Sequence, residues 1–234
     1  MRRATDPGRR SGRDPSDARL VSDLTFAVVG ARAEPYAVAP TLMLRLAVAE
    51  RSGEPIQAIA LRTQIMIEPR RRHYTAAEES RLLELFGEPQ RWGDTLQTML
   101  WTHSSLVVPA FQERVEVDLP LACTYDFEVA SSKFFHALED GGIPLLLLFS
   151  GTVFARGPGG LRVDQVPWHE EASYLLPVSV WRDLMNQYFP GSAWIRMRSE
   201  TFDALHAFRG QNALPSWDQT IEELLQRAGE RRLA

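Results

Sequence analysis

Two stretches of strict apolar alternation constrain this chain more than any other feature in it. Leu42, Leu44, Leu46 and Val48 alternate with Met43, Arg45, Ala47 and Ala49, and Ile59, Leu61, Thr63, Ile65 and Ile67 alternate with Ala60, Arg62, Gln64 and Met66. A period of two puts one set of side chains on a buried face and the other towards solvent, as a strand does and a helix does not. Arg51-Ser52-Gly53-Glu54-Pro55 between them reads as a turn, so the pair predicts an antiparallel hairpin.

A second hairpin is expected from Tyr125–Leu138 and Ile143–Phe154, joined by Glu139-Asp140-Gly141-Gly142. Shorter strands are expected at Leu24–Val29, Thr98–Val108, Arg114–Leu121 and Ala193–Arg198, and at Leu161–Val166 after a Gly157-Pro158-Gly159-Gly160 turn. Pro35 and Pro40 punctuate a loop or edge. Helices are marked differently. Thr75 and Glu78 have the reciprocal capping spacing ahead of Leu82, Leu83, Leu85 and Phe86, with Gly87 and Pro89 as the stop. Pro177–Phe189, a segment capped by Ser199 through Phe208, and a last helix begun by Ser216 and Gln219 complete the set. The fold class is therefore α+β, built from antiparallel sheet with C-terminal helices.

Residues 1–22 hold six arginines, three aspartates, two prolines and two glycines, too little apolar surface to offset ordering, and read as a disordered tail. Residues 23–234 then form a single α+β domain. Its halves, 23–110 and 111–234, carry the same order of hairpin, helix and aromatic residue, with Trp92 after Leu85-Phe86-Gly87 and Trp194 after Tyr188-Phe189-Pro190-Gly191. That order fits two related sheet-plus-helix units arising by duplication.

A net charge of −4 gives no case for nucleic-acid or membrane binding. Lys133 is the one lysine, an imbalance that reflects base composition rather than binding. Cys123 stands alone, so no internal disulfide is available, and its apolar surroundings fit a buried thiol. Arg2-Arg3 is followed by no apolar segment in the first 22 residues, which fails as an export signal. The run Ile143–Phe149 is too short to span a bilayer. A cytoplasmic location is expected.

No catalytic, cofactor-binding or metal-binding motif emerges. His73, His103, His136, His169 and His206 are widely scattered and none pairs with another at helical spacing. The glycine turn at 157–160 lacks the Lys-Ser/Thr of a phosphate loop, and Ser150-Gly151 lies within a strand. Glu116 and Asp118 read as the solvent face opposite Val115, Val117 and Leu119. The binding candidates are Arg70, Arg71 and Arg72, able to meet carboxylates or another anion, together with Arg91 and a solvent-facing Trp92.

Several strings together resemble one family. They include Glu34-Pro35-Tyr36, Ile67-Glu68-Pro69, Arg91-Trp92-Gly93, Cys123-Thr124-Tyr125-Asp126-Phe127-Glu128-Val129 and Leu148-Phe149-Ser150-Gly151-Thr152-Val153-Phe154. The chain is similar through nearly all but its first 20 or so residues to domain-of-unknown-function family 6084. The family has no assigned activity, and its members are bacterial and often encoded beside uptake nickel–iron hydrogenases. The resemblance implies a supporting role in making that enzyme, with hydrogenase subunits or maturation factors as partners. The last third, with Trp194-Ile195-Arg196-Met197 and Phe202-Asp203-Ala204-Leu205, is similar to the end of the SecB-type export chaperones. This implies an apolar groove that holds an extended polypeptide. A non-enzymatic, chaperone-like accessory is thus the expectation. An enzyme would instead need a deep pocket with converging polar groups, around Asp126, Lys133 or His136, and a structural subunit a flat apolar interface.

Overall fold

The computed structural model describes residues 23–124, 129–157, 160–192 and 195–233. Strands β1 (Leu24–Ala33), β2 (Thr41–Glu50) and β5 (Arg114–Ala122) form one antiparallel sheet in the order β1-β2-β5. Strands β3 (Ile56–Ile67), β4 (Met99–Val108) and β6 (Gly142–Gly157) form the second, in the order β4-β3-β6. The 16 residues of β6 leave room on its far edge for two partners in series, β7 (Gly160–Gln165) and β8 (Glu171–Pro177).

The alternation of β2 and β3 is real, but the two do not pair. Each strand belongs to a different sheet, and the 51–55 turn is a corner between them rather than a hairpin loop. Glu50 makes the corner. Its buried carboxylate accepts backbone N–H groups of Asp23 (3.2 Å), Ser52 (3.1 Å), Gly53 (2.8 Å) and Glu54 (3.1 Å). Burial alone would raise its pKa; those donors and the Ser52 hydroxyl outweigh it and hold the group below its ordinary value.

The inward rows of both sheets meet in one core. Leu42, Leu44, Leu46 and Val48 face Ile59, Leu61, Ile65, Leu147 and Val153, all within 2% of full burial. Phe26 of β1 stacks on Phe149 of β6, centroids 4.3 Å apart, fastening one sheet to the other. Along one flank β5 lies beside β4, with the Ser104 hydroxyl donating to the Pro120 carbonyl at 2.6 Å. On the other, β1 lies beside β8. The result is a flattened barrel.

Registers such as Ile67↔Met99, Ile67↔Leu145 and Thr41↔Ala122 put the helical connections at one barrel end and the turns at the other. From the helical end come α1 (Ala76–Phe86) and α2 (Trp92–Thr95) after β3, α3 (Ala130–Ala137) after β5, and α4 (Val178–Tyr188) after β8. Aromatic rings plug this end: Phe134 meets Phe86 at 6.1 Å, and Phe135 meets Trp101 at 4.9 Å and Trp181 at 5.4 Å.

Helix α3 corrects the expected strand over Tyr125–Leu138, whose residues 125–128 lie outside the described set. Phe134 and Leu138 are one helical turn apart and both buried, so packing against the plug overrides their strand propensity. The expected strand at Ala193–Arg198 is not formed at 195–198, which is irregular; residues 193–194 lie outside the described set. Helices α5 (Ser199–Gln211) and α6 (Trp217–Leu233) follow and pack on each other, and α5 buries no residue. The two chain halves do not separate: each sheet takes strands from both. Among the described residues no helix is long and apolar enough to cross a membrane.

Candidate functional site

The arginine segment is a joint. After β3, residues Pro69–Arg71 make a single 3-10 turn, and the chain runs extended into the Thr75 cap of α1. Thr75 Oγ1 accepts from Glu78 N–H, and the Glu78 carboxylate accepts Thr75 N–H at 3.0 Å, completing the expected capping box. The same carboxylate, 2% exposed, takes Arg72 Nη2 at 2.8 Å and Glu139 N–H at 2.9 Å. Burial opposes its charge; the Glu139 and Thr75 amides and Arg72 reverse the balance and lower its pKa. Arg72 also reaches the carbonyls of Gly142 (3.2 Å) and Asp140 (3.3 Å) and lies 5.1 Å from the Tyr74 ring. It ties α1 to the turn before β6 and has no free face for a ligand.

Arg70 donates to the Gly93 carbonyl, and Arg71 pairs with Glu68 at 2.8 Å while touching Ser173 Oγ at 3.2 Å. Arg71 also lines a cavity of about 260 Å³ with Pro144, Ser173 and Leu175. Arg91 is exposed. Trp92 is not: it is 8% exposed, donates its indole N–H to Gly87 O at 2.9 Å, and meets Tyr74 at 5.2 Å. The expectation of a solvent-facing ring is corrected, because Gly87 turns the chain back over α1 and presses α2 onto the plug. The five candidates therefore do not converge on one surface.

Of the positions suggested for an enzyme, neither Lys133 nor His136 lines any of the cavities formed by the described residues. Lys133 pairs with Glu84 across α1 and α3. His136 packs edge-on to Trp181 at 4.7 Å, where burial first, then the Arg182 charge, lower its pKa to about 4. Asp126 lies outside the described residues. Cys123 is buried, and desolvation pushes its thiol up to about 12, far from thiolate chemistry. Among the described residues no three His, Cys, Asp or Glu side chains gather as a metal site.

An apolar concavity lies elsewhere, among residues whose pattern predicts a strand and ordinary helix faces. It measures about 860 Å³ and opens between the end of α4, residues 191–192 and 195–197, and helices α5 and α6. Phe189, Ile195, Met197, Phe202, Trp217 and Ile221 form its apolar lining, with Asn186, Ser192 and Asp218 as polar members. Ile195 is 70% exposed and Phe202 45%, so the lining is open to an incoming chain. One wall is rigidly held: Tyr188 Oη is shared between the carbonyls of Glu34 (3.0 Å) and Ala37 (2.9 Å), anchoring the end of α4 to the β1–β2 loop. On the opposite wall Phe202 packs 5.4 Å from Trp217, and Arg209 covers the indole at 4.9 Å. The signal in the sequence was the cluster of large apolar residues at 195–205 without a strand partner.

The outer face of the larger sheet is apolar only in patches. Leu100 and Leu175 are exposed at the helical end and Val107, Leu161 and Val163 at the turn end, with Arg62, Ser105 and Ser150 between them.

No curated protein matches this sequence. A β-glucosidase from Kluyveromyces marxianus, known as a crystal structure, aligns over 67% of this chain at 8% identity with a TM-score of 0.26. The chain spans only 15% of that enzyme, and likeness at this level says nothing about fold or activity here. The family model that matches covers residues 21–233, and the chain belongs to the family it describes, a family of unknown function (DUF6084).

Proposed function

We propose that this protein is a non-catalytic, cytoplasmic accessory that holds an apolar segment of another polypeptide in the groove beside α4, α5 and α6. The groove carries the reading: about 860 Å³, lined by Ile195, Met197, Phe202 and Ile221, which a monomer gains nothing by leaving open. Its volume suits several side chains of an extended or helical segment, not a whole domain. The resemblance to a hydrogenase-linked family makes nickel–iron hydrogenase subunits and their maturation factors the first partners to try.

Two measurements test this. A fluorescently labelled, reduced and unfolded model polypeptide should bind the wild type. Ile195→Asp and Phe202→Asp should each weaken binding at least about tenfold, the cost of placing a charge in an apolar contact. The thermal melt should be unchanged for Ile195→Asp, whose side chain is 70% exposed, and only slightly lowered for Phe202→Asp, which gives up its ring contact with Trp217. Undiminished binding by both variants would sink the groove assignment. Separately, a tagged copy purified from its native cell should bring down a hydrogenase or maturation component when the hydrogenase is expressed. Recovery of none would remove that partner while leaving the groove result standing.

A further inference from the structure

Among the described strands, β7 is partnered on one side only. Its register on β6 runs from Gly157↔Gly160 to Thr152↔Gln165, and just beyond it Val166 N–H donates to Gly151 O at 2.9 Å. Successive residues of an antiparallel strand turn their backbone groups to opposite edges. With Val166, Asp164 and Arg162 turned towards β6, the N–H and C=O groups of Leu161, Val163 and Gln165 point to the other edge. No described strand lies there. On the outer face along that edge Leu161 is 67% and Val163 54% exposed, and Trp168, three residues past the strand, is 93% exposed. Arg162 and Asp164 share the opposite face, joined at 2.7 Å, with Arg162 also bonded to Glu54 at 3.0 Å.

We propose that β7 is the seam of a homodimer, pairing antiparallel with β7 of a second copy about a two-fold axis through Val163. The charge order selects this occupant and this register. With Val163 opposite its own copy, Arg162 of each chain faces Asp164 of the other, twice over. These are the pairs without backbone hydrogen bonds, whose side chains come closest. Moving the axis to Arg162 or Asp164 sets like charges face to face. The Val163 register also uses all the outward backbone groups, with Val163 bonded to Val163 and Leu161 to Gln165 of the second copy. On the outer face the Leu161 and Val163 side chains of both copies merge into one apolar strip, with Trp168 at hand to extend it. The β7 edge and the α4–α6 groove are separate surfaces, so this inference does not rest on the proposed function.

Sedimentation equilibrium on the full chain should show a reversible monomer–dimer system. Residues facing each other across the axis in a hydrogen-bonded pair have Cα atoms about 5.5 Å apart, within disulfide reach, whereas Leu161 and its copy are about 13 Å apart. Under mild oxidation Val163→Cys should form a covalent dimer and Leu161→Cys should not; Cys123 is buried and stays out of the reaction. Val163→Lys should raise the dimer dissociation constant at least about tenfold, with an unchanged thermal melt at concentrations where the wild type is monomeric. The inference is overturned by a monomer at every concentration up to about 1 mM. It is equally overturned by a dimer that Val163→Cys does not lock, or by one that Leu161→Cys locks equally well.

Discussion

Thr63 is the clearest case of a single residue whose identity runs against its position. It sits in the inward row of β3, fully buried, opposite Phe149 on one side and Ser104 on the other, and its hydroxyl has no partner among the described residues. A buried hydroxyl without a hydrogen bond costs about 1–3 kcal/mol. Thr63→Val keeps the shape and removes the orphan, so it should stabilise the protein by roughly 1 kcal/mol in urea unfolding; a loss of stability would show that the hydroxyl is bonded after all. His136 sets the acid-side behaviour. Its pKa is about 4 in the folded protein against 6.5 for a free imidazole, so between those values the unfolded chain takes up a proton that the folded chain refuses. Stability should therefore decline as pH falls from 6.5 towards 4, and Glu50 and Glu78, held below 4.5, should steepen the decline only below that point. In His136→Gln the urea midpoint should be flatter between pH 6.5 and 4.5 than in the wild type; an unchanged slope would put the effect elsewhere. The inward row was legible in the sequence, Thr63 included. That Trp92 would be covered was not, because its burial depends on a turn at Gly87 that folds α2 back onto α1.

Elements were legible where one face is uniformly apolar or a cap is written locally. The rows of β2, β3 and β6 and the Thr75–Glu78 capping box are of this kind. Thr75→Ala should cost about 1 kcal/mol, with Thr75→Ser near neutral, as read from denaturant midpoints. A larger loss would show that the cap and the Arg72–Glu78 pair fail together. Pairing is another matter. A five-residue turn between two alternating runs looks like a hairpin until the Glu50 carboxylate is seen gathering four amides into a corner. Strand β8 is hard to read from the sequence although Ala172 and Leu176 alternate with exposed Glu171, Ser173 and Leu175; Tyr174 is only half-buried, which blurs the signal. Helix α3 runs against the local pattern because Phe134 and Phe135 favour strands in isolation and only the ring cluster with Phe86 and Trp181 decides otherwise. The groove is not legible for the same reason: its lining comes from α4, α5, α6 and an irregular segment, brought together by nothing local.

For the whole molecule, sharing both sheets between the two halves has a direct consequence. Fragments 23–110 and 111–234 each lack central partners, β5 and β6 for the first and β2 and β3 for the second. Expressed singly, neither should give a cooperative urea transition; mixed, they should regain one. Independent folding of either fragment would mean that the halves are units after all. The α+β class and the antiparallel sheets were legible from composition and period, while the barrel closure, fastened by Phe26 on Phe149, depends on residues 123 positions apart in the chain. The same wiring has a consequence in time. During synthesis β3 emerges with only β4 close behind it, and the strand that covers its other edge is made some 75 residues later. Until β6 leaves the ribosome, the alternating row from Ile59 to Ile67 faces the cell with one edge open, so a pause before residue 142 is when this chain is most exposed to aggregation.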